Sequence, residues 1–144
     1  MLLENSFNSK SLIRVIPLMP AFYKIDKENR LVMTTGSGTL TMAEAITHQE
    51  KLQRDPEFEP TYAQLIDFSH VTKIELNAED VHRLAQESIF SPTSRRAILV
   101  GNDTAYGLAR MFEILRETAG DTGIEVYRNL DEALDWVLAR GASA

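Results

Sequence analysis

Asp67, Ser69 and His70 bring a carboxylate, a hydroxyl and an imidazole together within four positions, the residue types of a nucleophilic triad. A working triad sets the base between nucleophile and orienting acid, usually from separate segments. Alternation along a strand instead sends neighbouring side chains to opposite faces. The expectation is therefore that Asp67 and Ser69 satisfy backbone donors in a turn that follows a strand. The whole stretch from Gln64 to Asp80 reads as a buried strand, a short polar connection and a capped helix start. The carboxyl end of a strand is where α/β domains place their working surface.

Other residue groups suggest weaker chemistry. Gly36-Ser37-Gly38 precedes a helix and could approach a phosphate through its amides. It lacks the third glycine of the dinucleotide fingerprint and the Gly-Lys-Ser/Thr ending of a P-loop, so a flexible strand exit is expected. His48, His70 and His82 fall on different elements without paired metal spacing, and no metal site is expected. His82 follows the core position Val81 and should face solvent. Asn77 reads as a helix cap whose neighbouring amides could hold an anion, and Asn102 with Asp103 as a turn and cap. Tyr106, Arg110 and Glu113 share one helical face; Arg110 and Glu113 can pair, or Tyr106 and Arg110 can line a ligand or partner site.

The elements that must position these groups are legible from periodicity. Phe22–Asp26 and Arg30–Thr35 flank Lys27-Glu28-Asn29 as a hairpin, with Asn29 available for a left-handed position. Thr41 and Glu44 suit a capping box for a helix that ends at Asp55, before Pro56. Tyr62–Phe68 and Ala97–Val100 read as central strands, and Ile124–Tyr127 as a last strand. Helices are expected from Asn77, from Thr104 towards Gly120, and from Asn129, the last burying Leu130, Ala133, Leu134, Val137 and Leu138. This order predicts one α/β domain with a mixed β-sheet and stacked β-α units. Its expected span is 21–141, after an N-terminal extension or edge strand over 1–20.

Bulk properties exclude several classes. The 144 residues carry a net charge of −6 with a pI near 5.1, which is not the footprint of a nucleic-acid binder. The apolar share is 44% and the charged share 25%, an ordinary globular balance. Without cysteine there is no disulfide, thiolate metal site or cysteine nucleophile. No apolar run approaches the roughly 20 residues of a membrane span. Arg14 and Pro17 interrupt the apolar patch near the N-terminus, which argues against a signal peptide.

Gly38-Thr39-Leu40-Thr41, Asp55-Pro56-Glu57-Phe58, Leu65-Ile66-Asp67-Phe68-Ser69-His70-Val71-Thr72, Tyr106-Gly107-Leu108-Ala109-Arg110-Met111-Phe112-Glu113 and Leu130-Asp131-Glu132-Ala133 together carry a family likeness. From about Phe22 to Leu138 the chain resembles the SpoIIAA-like proteins, relatives of the STAS domains of sulphate transporters and anti-sigma-factor antagonists. The resemblance implies helices stacked along a mixed sheet. In the signalling antagonists, a serine of an Asp-Ser-Ser-Gly motif at the head of the second helix is phosphorylated by a partner kinase. Aligned on Val71-Thr72, that motif falls on Glu75-Leu76-Asn77-Ala78, which offers no hydroxyl to modify.

The expectation is a bacterial, cytoplasmic, non-enzymatic regulatory or interaction module without the phosphorylatable serine and without cofactors. It would act through a protein or small-ligand contact at Asp67, Ser69, His70, Asn77, Asn102, Asp103, Tyr106 and Arg110. The wide apolar arc of the helix after Asn102, extended by Met111 and Ile114, points to a homodimer. A second expectation is an apolar-ligand carrier whose pocket that same helix lines. A small hydrolase using Asp67 or His70 ranks last.

Overall fold

The computed structural model of the protein describes residues 21–139. The expected extension over 1–20 and the last residues of the expected domain lie outside them. In chain order the elements are β1 (Ala21–Asp26), β2 (Leu31–Thr41), α1 (Met42–Arg54), β3 (Ala63–Glu75), α2 (Ala78–Leu84), β4 (Arg96–Val100), α3 (Asp103–Thr118), β5 (Ile124–Tyr127) and α4 (Leu130–Val137). The five strands lie side by side in sequence order, β1 antiparallel to β2 and every later pair parallel. A mixed sheet of stacked β-α units is the architecture the alternation predicts.

Strand order that advances in one direction fixes where the crossover helices go. Right-handed connections then place α1, α2 and α3 on the same side of the sheet. The core clusters agree. Val32, Leu52, Tyr62 and Phe90 pack beneath α1, and Ile66, Ile98, Val100, Ala105 and Ile124 pack beneath α3. The opposite face belongs to α4, where Leu31, Leu65 and Ala97 meet Ala133 and Val137. Leu130 and Leu138, both expected inside, are 44% and 39% exposed. The helix is only eight residues long, so these two sit at its rims rather than against the sheet.

The helix starts follow their cap residues. Thr41 Oγ1 accepts from the Glu44 amide, Asn77 from Asp80, Asn102 from Ala105 and Asn129 from Glu132. Each side-chain oxygen satisfies an amide that the first helical turn leaves open. Only Asn77 makes the full reciprocal box, since the Asp80 carboxylate also accepts from the Asn77 amide. In the β1–β2 turn, Arg30 takes the left-handed position at φ 53° rather than Asn29. Asn29 is instead held by Asp26, which accepts from both its amide and its side-chain nitrogen.

The largest departure from expectation is β3. The strand does not end at Phe68 but runs on to Glu75, pairing with β2 alone beyond β4's last partner, Val100. Residues 69–75 are therefore strand, not a polar connection. Gly36-Ser37-Gly38 is likewise strand rather than a flexible exit, with register shifts on either side of the segment and Gly38 at φ 67°. Bulges of this kind bend a ribbon and increase its twist. Here they return the extension over the α1–α3 side, where Ile74 packs against the cluster at the head of α3.

Candidate functional site

The strand-end residues singled out in the sequence form two small groups. Asp67 Oδ1 accepts from the Ser69 amide at 3.0 Å and from Ser69 Oγ at 2.6 Å, and Ser69 Oγ lies 3.2 Å from His70 Nδ1. The hydroxyl sits between carboxylate and imidazole, whereas acyl-transfer chemistry needs the imidazole between the other two. Alternation also turns Asp67 away from Ile66 and Phe68, which face the three-helix side. β3 approaches the β4–α3 turn closely here. A Cβ on Gly101 would collide with the Ser69 carbonyl oxygen, and Asn102 Nδ2 donates to the Val71 carbonyl.

In the second group, Arg128 bonds Asp103 at 2.8 Å and its guanidinium lies 4.5 Å from the centre of the Tyr106 ring. One turn further along α3, Arg110 pairs with Glu113 at 2.6 Å, as the spacing predicts. That carboxylate raises the Arg110 pKa, first by its hydrogen bond and then by its charge. Asn77 bonds neither group; its partner is Asp80. His82 is exposed, and among the described residues no cluster of His, Asp or Glu could hold a metal ion. Of the apolar arc on α3, Ile114 is 49% exposed and Met111 half-buried. One exposed isoleucine is ordinary on a folded surface.

The concavity with chemical content lies elsewhere. The sheet and its three helices line a partly open cavity of about 170 Å³. Its floor is sheet: Thr34, Gln64, Ile66, Arg96, Ile98 and Val100. α1 supplies His48 and Leu52, α2 supplies Val81 and Leu84, and α3 supplies Leu108, Ala109 and Phe112. Leu40, Ile74 and Leu76 close one end, carried there by the curled β2–β3 extension. An apolar hollow with a few convergent polar groups is the usual form of a small-molecule site.

Those polar groups form one chain across the floor. Arg96 Nε donates to Gln64 Oε1 at 3.2 Å, Gln64 Nε2 donates to Thr34 Oγ1 at 2.9 Å, and Thr34 Oγ1 lies 3.0 Å from His48 Nε2. With one lone pair of Thr34 taken by Gln64, the hydroxyl can either donate its proton to His48 Nε2 or accept from it, according to the imidazole tautomer. Burial, helped by Lys51, lowers the His48 pKa to about 4, so the ring is neutral at physiological pH and can accept. His48 also packs edge-on against Tyr23, their ring centres 5.5 Å apart.

The burial of His48 makes folding stability depend on pH. The contribution of neutral His48 is fully present above its ordinary value of 6.5 and is lost as pH falls towards about 4. Between pH 7 and 4.5 the wild type is expected to lose about 2–3 kcal/mol more stability than His48→Gln, since each unit of pKa shift is worth about 1.4 kcal/mol. Urea unfolding of both proteins at the two pH values checks this, because carboxylate titration is common to both. Equal losses would remove His48 from the account.

None of Thr34, His48 or Arg96 stood out in the sequence as a site residue. The available signal was Gln64, a polar side chain in a strand otherwise built for burial, and only 3% exposed in the fold. A buried amide needs partners, and Thr34 and Arg96 are those partners.

No family model matches the chain, and no curated protein is similar to it in sequence. Among solved structures the chain is similar to an uncharacterized protein of the DUF3478 family with a SpoIIAA-like fold, from Shewanella loihica PV-4. The TM-score is 0.52 at 17% identity, over 81% of this chain and 91% of that one. At this identity the likeness establishes the fold. The chain has a SpoIIAA-like α/β fold, as the sequence resemblance implied, and among the described residues no helix is long and apolar enough to cross a membrane.

Proposed function

We propose that the protein is a non-enzymatic binding protein that carries a small apolar ligand between the sheet and helices α1, α2 and α3. The observation that carries this reading is the cavity itself, about 170 Å³ and walled mainly by aliphatic and aromatic side chains. An engineered apolar cavity of about 150 Å³ is enough to take up benzene. The expected guest is therefore an aromatic ring or a short acyl chain, held in water-excluding contact. The arrangement of Asp67, Ser69 and His70 supports binding over hydrolysis, because the serine hydroxyl donates to Asp67 and the carboxylate does not orient the imidazole. A partner contact at the strand-end loops is the second reading. It is favoured by the exposed Arg128–Asp103 pair beside Tyr106, but those groups are already engaged with one another.

The test uses 1-octanol, an uncharged chain of suitable bulk. At about ten times its dissociation constant it should stabilise the fold by about 1.4 kcal/mol, raising Tm by about 5 °C for a domain of this size. Ala109→Phe projects a ring into the cavity from α3 and should abolish the shift, while its own Tm reports that the fold is retained. If neither octanol nor toluene moves the wild-type midpoint, the carrier reading is wrong.

A further inference from the structure

Among the described residues Arg96 is the one cation on the cavity floor, and no carboxylate there forms an ion pair with it. The guanidinium is stacked on Phe90, 4.5 Å from the ring centre, and lies 5.9 Å from that of Phe112. With aromatic rings over its plane, its N–H groups are directed around its edge. Nε is given to Gln64 at 3.2 Å, and Nη1 makes a long contact of 3.4 Å to Ser88 Oγ. A guanidinium carries five N–H donors; among the described residues the Nη2 nitrogen of Arg96 has no partner. No carboxylate pairs with it either. Asp121, a buried acid that acts on its charge, is bonded to Arg116 at 2.8 Å, and among the described residues Glu87 on the cavity wall forms no ion pair with it. Two arginines and one aspartate leave a single positive charge in excess. Burial pulls the Arg96 pKa down to about 10, with Arg116 adding to the fall and Asp121 opposing it, so the group is still cationic at neutral pH.

From this unpaired cation in an apolar cavity we infer that the ligand is an amphipathic monocarboxylate, its carboxylate bound by Arg96 and its apolar body lying between α1 and α3. The inference rests on the carrier reading and adds the chemistry of the head group. One negative charge balances the excess, and a planar carboxylate matches the fork of a guanidinium. A phosphate monoester, near −2 at neutral pH, would overbalance it.

The experiment compares octanoate, 1-octanol and octyl phosphate by calorimetry on the full chain and on Arg96→Met. The wild type should bind octanoate about tenfold or more tighter than octanol, and octyl phosphate more weakly than octanoate. In Arg96→Met the octanoate-to-octanol ratio should fall to about one. Should that variant fail to fold, the wild type still decides: the Arg96 Nε–H resonance should move with octanoate and stay in place with octanol. Equal affinity for octanoate and octanol, or tighter binding of octyl phosphate, overturns the carboxylate site and leaves the carrier reading standing. Binding of none of the three overturns both.

Discussion

Asp121→Asn is expected to destabilise the fold by about 3–5 kcal/mol, read as a lower urea midpoint at unchanged m-value. Asp121 and Arg116 are 5% and 9% exposed at their side chains, so their ion pair at 2.8 Å is held out of water. Arg116 also donates Nη1 to the Ala85 carbonyl at 2.7 Å, tying the end of α2 to the last turn of α3. Removing one partner of a buried pair leaves the other as an uncompensated charge, which costs several kcal/mol. The cost is aggravated here because Arg96, half-buried nearby, adds its own positive charge, so Asp121→Asn would leave buried Arg116 facing a second cation with its anion removed. Replacing both members, as in Arg116→Met with Asp121→Leu, should restore most of the loss, since apolar residues of similar volume often substitute for a buried pair without penalty. A loss below about 1 kcal/mol for Asp121→Asn would mean that water reaches the pair and that the local charge count is wrong.

Adjacent arginines show what the sequence could and could not disclose. Arg95 and Arg96 precede Ala97-Ile98-Leu99-Val100, and as letters they are equivalent. Strand alternation separates them. Arg95 turns to the α4 side, where it bonds the Trp136 carbonyl and lies over that indole; Arg96 turns to the cavity. The period of two was legible, but which face would carry a cavity was not. That depends on α1, α2 and α3 sharing one side and standing apart over the sheet, which no local pattern records. Cap residues were readable for the opposite reason. Asn77, Asn102 and Asn129 act on amides three residues away, and their partners are fixed by helix geometry alone.

The second half of β3 marks another limit. Ser69, His70, Thr72, Lys73 and Glu75 are polar and lie outside the central sheet, so they resemble a loop. They form a strand because β2 runs alongside them, a long-range pairing that composition does not announce. For the same reason Asp67, Ser69 and His70 fall within a strand rather than at its end, and Asp67 faces the α4 side. The residues that line the cavity floor, Gln64, Ile66 and Phe68, alternate with Asp67 and Ser69.

Gly123→Ala and Gly107→Ala should change stability in opposite directions, which separates close packing from chain flexibility. A Cβ on Gly123 would collide with the Ser94 carbonyl oxygen and stand 2.8 Å from its carbon. Neither backbone can retreat cheaply. Ser94 is anchored by its hydroxyl to the Pro60 carbonyl at 2.7 Å, and the Gly123 carbonyl accepts from the Arg96 amide at 2.7 Å. Relief of the clash therefore pulls on the start of β4, where Arg96 is set into the cavity floor. The expected cost is about 3 kcal/mol, the upper end of ordinary overpacking, and octanoate affinity should fall with it. Gly107 lies exposed on α3 with nothing within 4 Å of its added Cβ. Alanine there should stabilise the helix by about 0.5–1 kcal/mol, because glycine loses more backbone freedom on folding. Urea unfolding of the two variants reads both signs directly. If Gly123→Ala were neutral, the β4–β5 edge would be soft enough to move Arg96, and the carboxylate site could not be preorganised; the rigidity of that edge is what holds an unpaired cation at the cavity floor.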